Sequence, residues 1–250
     1  MSGKLFIIGL GPGDAAMLTP QADAALAQVT DLVGYGPYVA RAPERVGQIR
    51  HVSDNREELD RARHALEMAA AGRVVAVLSA GDAGVFGMAS AVFEAIDRGE
   101  PAWRELEVEV VAGVSAMFAA SARVGAFLGH DFCAISLSDN LKPWALVLQR
   151  LRAAAEAGFA MALYNPHSRA RSWQLDAAFE VLRETLPLAT PVVFATAVSR
   201  ADEHVHITTL AEAESSRADM RTLVLVGTAE TKLVERPGRE PWVYAPRSVA

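Results

Sequence analysis

Lys4-Leu5-Phe6-Ile7-Ile8-Gly9-Leu10-Gly11-Pro12-Gly13-Asp14 is an apolar run that stops in a turn rich in glycine. The run from Leu5 to Leu10 is short, unbroken and closed by turn residues. It therefore reads as a buried strand rather than a helix. The same unit recurs along the chain. Further strand candidates are 31–34, 74–79 and 108–111, then 132–137, 159–164, 192–196, 204–208 and 222–227. Between them lie alanine-rich stretches with helical spacing at 20–29, 55–71, 85–98, 115–124, 143–157 and 169–185. Asp54 or Asn55 can cap the second of these, with Glu57 and Glu58 favourably placed in its first turn. Pro143 suits the first turn of the fifth. Strand–helix alternation of this kind predicts mostly parallel sheets covered by helices.

The last three strand candidates are too close together for helices between each pair, so hairpin-like connections and a mixed sheet are expected there. The chain is therefore read as two α/β domains, 1–119 and 120–250. The break falls near 113–125, where Gly113 and Gly125 flank a small-residue helix. The first domain carries a mostly parallel sheet and the second a mixed one.

Composition narrows the function classes. Hydrophobic residues make up 51% of the 250, enough for a substantial core. The formal net charge is −6 with no polybasic tail, which argues against nucleic acid as the partner. No run approaches the roughly 20 apolar residues that span a bilayer, and no leader pattern is read at the start. The single cysteine, Cys133, cannot form a disulfide within the chain. The expectation is a cytoplasmic protein with no membrane partner. His51, His64, His130, His167, His204 and His206 are too scattered for ligand spacing, so no metal site is expected.

Three small-residue loops follow predicted strands of the first half, at the edge where open α/β sheets bind ligands. Gly9-Leu10-Gly11-Pro12-Gly13-Asp14 is one residue short of a dinucleotide fingerprint and lacks the Lys-Ser/Thr of a P-loop. Alone it reads equally well as a tight structural turn. Ser79-Ala80-Gly81-Asp82-Ala83-Gly84-Val85-Phe86-Gly87 is the second, in which Asp82 can simply cap the next helix. Ala112-Gly113-Val114-Ser115-Ala116 is the third. Together they make a site.

In this order, these three motifs resemble the tetrapyrrole (corrin/porphyrin) methyltransferase family. Three further stretches resemble the branch that methylates a precorrin at C17 and contracts the ring on the route to cobalamin. They are Ser53-Asp54-Asn55-Arg56-Glu57-Glu58, then Gly129-His130-Asp131-Phe132 running on to Ser136-Leu137-Ser138-Asp139-Asn140-Leu141-Lys142-Pro143-Trp144, and finally Leu163-Tyr164-Asn165-Pro166-His167-Ser168-Arg169. The similarity runs from Lys4 to about Thr231. Two positions depart from the family pattern, Ala83 and Ala112, where proline is usual; neither removes a chemical group.

The resemblance implies two α/β domains with a cleft between them, a homodimer, and S-adenosyl-L-methionine as methyl donor, released as S-adenosylhomocysteine. Carried over by position, the donor contacts are Pro12, Ala80, Gly81, Asp82, Val85, Ser115, Ala116, Asn165, Ala195 and Thr228. The precorrin contacts are Asp54, Asn55, Arg56, Ser138, Asp139, Lys142 and Arg169, with Arg41, Arg45 and Arg171 as further cations for its carboxylates. Ring contraction moves protons and so needs an acid or base. Asp54, Glu57, Ser138, Asp139 and His167 offer one, with His167 and Glu57 ranked first. Other readings are a different tetrapyrrole methylase, a non-catalytic tetrapyrrole binder, and an NAD(P)-dependent oxidoreductase, which the glycine spacing disfavours.

Overall fold

The computed structural model describes residues 3–54 and 57–248, and the chain divides into two compact units, Met1–Ala116 and Met117–Ala250. Each unit is an α/β layer built on a five-stranded sheet.

Unit 1 runs β1 (Lys4–Gly9), α1 (Pro20–Leu26), β2 (Asp31–Tyr35), α2 (Gly36–Val39), β3 (Ile49–Ser53), α3 (Glu58–Ala70), β4 (Val74–Ser79), α4 (Met88–Arg98) and β5 (Glu107–Val111). The strands are all parallel, in the order β3-β2-β4-β1-β5. Alternate residues of β1 explain the unbroken apolar run. Leu5 and Ile7 join a core with α3 and α4, whereas Phe6 and Ile8 join a second core with α1. A strand covered on both faces has no polar side to display.

α5 (Ala116–Val124) opens unit 2. The unit then contains β6 (Gly125–Ala126), β7 (Phe132–Ser136), α6 (Trp144–Glu156), β8 (Ala160–Tyr164), α7 (Gln174–Thr185), β9 (Pro191–Thr196), β10 (His204–Thr209), β11 (Thr222–Val226), β12 (Lys232–Arg236) and β13 (Arg239–Tyr244). Its main sheet has the order β10-β9-β11-β8-β7, with β7 and β8 parallel and β11 antiparallel to both β8 and β9. Ile135, Leu163, Phe194 and Val224 from this sheet pack against Val147 and Leu151 of α6 and Phe179 and Leu182 of α7. A second sheet, β12-β13-β6, closes the unit. The expected α/β architecture, with one parallel and one mixed sheet, is what forms.

Several boundaries differ from expectation. β3, the hairpin β12–β13 and β6 were not anticipated. The second long helix starts at Glu58, and its cap residue is Glu57, which makes no side-chain cap bond. Asp54 is not its cap residue, and Asn55 and Arg56 lie outside the described residues. Instead the Asp54 N–H donates to Glu57 Oε2 at 3.2 Å. α4 starts three residues later than its spacing suggests, because the glycine loop 81–87 is not helical. Pro143 precedes α6 as its cap residue. No helix among the described residues is long and apolar enough to cross a membrane.

Asp31 opens β2 with no exposed surface. A bare buried carboxylate would be costly. Here Thr30 Oγ1, His51 Nε2 and Arg73 Nε each lie 2.7 Å from its oxygens. Burial alone would raise this carboxyl, but the bonds from Thr30 and His51 and the Arg73 charge outweigh it and hold it below the usual range.

Candidate functional site

In unit 1, β4, β1 and β5 are neighbours in one parallel sheet, so the three loops leave the same edge. Their main chains are tied to one another. Leu10 N donates to Ser79 O at 2.9 Å. Gly11 and Gly81 exchange N–H bonds of 3.1 and 2.9 Å. A Cβ on Gly9 would sit 2.7 Å from Gly81 O and 2.8 Å from Gly113 N, closer than real Cβ contacts come. Gly81 has φ +63°, the left-handed region that L side chains resist.

Asp82 is the knot of this edge. Its Oδ1 accepts the Gly84 N–H at 2.8 Å and its Oδ2 the Gly113 N–H at 2.9 Å. The helix-cap reading is thereby corrected: Gly87 is the cap residue of α4, and Ser79 Oγ accepts the Met88 N–H at 3.3 Å. The carboxylate is shared between two loops because both present N–H groups inward. Arg41, expected among cations for substrate, donates to Gly11 O at 2.9 Å and Gly13 O at 3.3 Å, and so braces the first loop. Arg45 pairs with Asp23 at 2.5 Å.

This edge brings together Pro12, Ala80, Gly81, Asp82, Val85, Ser115 and Ala116. An ideal Cβ on Gly81 would lie 3.7 Å from Ala116 N and 3.9 Å from Val114 O, so the second and third loops run side by side there. The donor set is main-chain N–H and C=O beside small side chains. It fits a zwitterionic nucleoside–amino acid better than a phosphate ligand, for which no lysine is supplied. Phe86, half exposed at φ +51°, was not anticipated; such outliers concentrate at functional sites.

Asp54 and Glu57 lie between β3 and α3, both exposed. Arg61, 4% exposed, holds this segment: its Nε donates to Ser53 Oγ at 2.7 Å and its guanidinium also bonds Asp54 O. Burial lowers its pKa below the ordinary arginine value although Glu58 and Glu57 oppose the shift. Arginine spacing alone gave no signal of this role.

In unit 2, Ser136 pairs with Tyr164 where the parallel strands β7 and β8 end, so the loops after them start side by side. Asn165 adopts φ +54° and its Nδ2 donates to Ser136 Oγ at 2.9 Å. Ser138 N donates to the same oxygen at 3.3 Å. Further along, Gln174 Nε2 donates to Asp139 Oδ2 at 3.1 Å, and the Trp144 and Trp173 rings meet edge to face at 5.2 Å. Ser168 and Arg171 exchange N–H bonds of 3.0 Å, which folds the segment after half-buried His167 into a tight turn. Arg169 is exposed on that turn. Lys142 is half-buried, and burial, then the Arg150 charge, lowers its ammonium below the ordinary range.

Ala195, 1% exposed, lies one residue before the end of β9, at the same sheet edge as Asn165. Beyond it Ala197 and Ser199 both adopt positive φ, at 51° and 62°. Glu203 accepts the Ser199 N–H at 2.5 Å and pairs with Arg123 at 2.7 Å. Thr228 does not join this group. β11 is antiparallel to β8 and β9, so its far end meets Pro191, at the opposite edge. The β11 residue at the Asn165 edge is Thr222, whose Oγ1 lies 2.7 Å from Thr196 Oγ1. A shallow groove of about 390 Å³ elsewhere on unit 2 is lined by Asp176, Arg183 and Glu212, and none of the predicted residues lines it.

With these two edges in place, the chain belongs to the tetrapyrrole (corrin/porphyrin) methylases, whose sequence model matches residues 4–214. Within that family it is 54% identical to the precorrin-3B C(17)-methyltransferase of Sinorhizobium sp, over 100% of this chain and 98% of the relative. A probable cobalt-factor III C(17)-methyltransferase of Salmonella typhimurium is 39% identical, over 91% of this chain and 93% of the relative. The crystal structure of the methyltransferase CobJ superposes with a TM-score of 0.93 at 51% identity, covering 98% of this chain and 100% of that one.

Proposed function

We propose that this protein transfers a methyl group from S-adenosyl-L-methionine to C17 of precorrin-3B and contracts the macrocycle to precorrin-4, in cobalamin biosynthesis. The observation that carries the reading is the 54% identity to a precorrin-3B C(17)-methyltransferase, over 100% of this chain and 98% of the relative.

The bound donor supplies an activated methyl on a sulfonium, so the chain's own residues have chiefly to position. The unit 1 edge, from Pro12 through Gly81 to Ala116, offers the donor backbone groups at fixed spacing. Asp82 contributes by locking the loops rather than by touching the methyl group, since both its oxygens accept backbone N–H groups. The unit 2 loops carry the groups for the macrocycle: Ser138, Asp139, Lys142 and Arg169. Orientation of this sort is worth roughly 7–11 kcal/mol of barrier. Contraction also needs proton transfer. Glu57 already accepts the Asp54 N–H, whereas His167 stands half-buried in the loop after β8.

The Salmonella relative supports a second reading, in which the accepted macrocycle carries cobalt. One experiment separates the two. Incubation with methyl-labelled S-adenosylmethionine and either precorrin-3B or its cobalt-bearing counterpart should give labelled, contracted product from the metal-free substrate. Turnover of the cobalt form alone would select the second reading, and label transfer to neither would reject both. We further propose a cytoplasmic homodimer; light scattering should return twice the 26.7 kDa of the chain, and a monomer mass would refute it.

A further inference from the structure

We propose that Asp139 is the base that takes the ring proton during contraction, and that Gln174 is a positioning residue that aims its carboxylate. This rests on the function proposed above. Asp139 lies in the loop after β7, half-buried, and Gln174 at the start of α7 is 2% exposed. The two are 35 residues apart in sequence, and a single bond of 3.1 Å joins them.

The character of the partner matters more than the distance. Elsewhere in unit 2, Glu203, Asp202, Asp219 and Glu184 all face arginines. A guanidinium stabilises a carboxylate's charge and weakens it as a base. A neutral amide orients the carboxylate with no formal charge, which suits a group that must accept a proton. Gln174 is itself held: its Oε1 accepts the Trp173 N–H at 3.3 Å, which fixes which end of the amide faces Asp139. Trp173 in turn packs on Trp144, just beyond the Asp139 loop. One Asp139 oxygen is bound to Gln174, and the other has no hydrogen-bond partner among the described residues.

The step balances as follows. On a macrocycle that carries a ring hydroxyl next to a lactone-bearing carbon, the class of substrate this step requires, the ring O–H breaks and its proton passes to the Asp139 carboxylate. The oxygen's electron pair becomes a carbonyl π-bond as the adjacent ring C–C bond migrates. The lactone C–O bond breaks, and its pair leaves on the freed carboxylate. No oxidant or reductant is consumed.

The test uses the full chain with precorrin-3B and labelled S-adenosylmethionine, and reads methylation and contraction separately by product mass. Asp139→Asn keeps the shape and removes the base. It should lower the contracted-to-uncontracted ratio by roughly 10²-fold, a typical general-base contribution, whatever the loss in overall methylation that its substrate contact brings. Gln174→Met removes the amide at similar volume and should lower that ratio about tenfold, with S-adenosylmethionine affinity unchanged. A structural role for Gln174 would depress both events equally, and that result overturns its assignment. An unchanged ratio in folded Asp139→Asn, or a fall confined to His167→Ala, overturns the proposal for Asp139. If Gln174→Met does not fold by circular dichroism, its role as a positioning residue is refuted in favour of a structural one, and Asp139→Asn still decides the base. Absence of methyl transfer by the unaltered protein would reject the function itself, a distinguishable failure.

Discussion

Asp82 Oδ2 and the Gly113 N–H lie 2.9 Å apart, which binds the loop after β4 to the loop after β5 across 31 residues of sequence. Hydrogen bonds to a charged group contribute about 1.5–3 kcal/mol each. Asp82→Ala frees two N–H groups, so thermal unfolding should fall by several degrees and donor affinity by at least tenfold. Calorimetry with S-adenosylhomocysteine checks the second; unaltered affinity would show that the loops hold their positions without the carboxylate.

Gly113→Ala and Gly81→Ala should differ in kind. A Cβ on Gly113 would overlap the Gly81 carbonyl oxygen and lie 2.8 Å from Gly9 C, all backbone that cannot swing aside. A Cβ on Gly81 meets nothing nearer than 3.7 Å and bears only the left-handed strain, about 1–2 kcal/mol. Donor binding should vanish in the first and persist, weakened, in the second. Equal losses would show that the loops adjust to either methyl group.

Lys142 is predicted to meet a substrate carboxylate. Lys142→Met should raise KM for precorrin about tenfold, equivalent to roughly 1.4 kcal/mol, and flatten its dependence on salt. Because burial and Arg150 set the ammonium below the ordinary 10.5, charge is lost as pH rises through that lowered value. Substrate affinity should accordingly fall at lower pH than for a free lysine. A KM that is flat across that range, or insensitive to the substitution, would move the contact elsewhere, with Arg169 next to test.

Asp31 is the acid-sensitive point of unit 1. Its folded carboxyl lies below the unfolded value, about 3.9. Its contribution is therefore full above that value and disappears as pH falls through the folded one. Asp31→Asn should lose about 1–3 kcal/mol at pH 7, and that gap should narrow at an acid pH, as pH falls through the folded value. Urea unfolding at the two pH values measures the difference, and a gap that widens in acid would contradict the sign.

Much of the fold was legible because its strands are buried on both faces or end in glycine loops. β1, β4 and β11 are examples. β3 was not, since Ile49 and Val52 break the two-residue alternation and both lie exposed on an edge strand. The β12–β13 hairpin carried a signal that went unused: Pro237-Gly238 at its turn, with Gly238 at φ +67°. The glycine loops of unit 1 were legible as a candidate site because they follow three strands that neighbour one another in one parallel sheet. Bonds between distant side chains, such as Arg61 with Ser53 or Gln174 with Asp139, have no local pattern to read. Thr228 lies at the sheet edge opposite Asn165 and Ala195 because β11 runs antiparallel to β8 and β9, a pairing that the close spacing of the last strands suggests but does not fix.

That reversed strand also sets an order of assembly. β11 is inserted between β8 and β9, so the β7–β8 pair and the β9–β10 hairpin have no direct ladder until residues 222–226 are available. On the ribosome, a nascent chain that stops short of Thr222 presents two apolar strand edges, along Met161–Leu163 and Val192–Phe194. Such edges are templates for intermolecular pairing. The loops bearing Asn165 and Thr196 reach their final separation only when this last central strand docks. Chains released before Thr222 should aggregate, whereas those released after Gly227 should acquire protease resistance in unit 2.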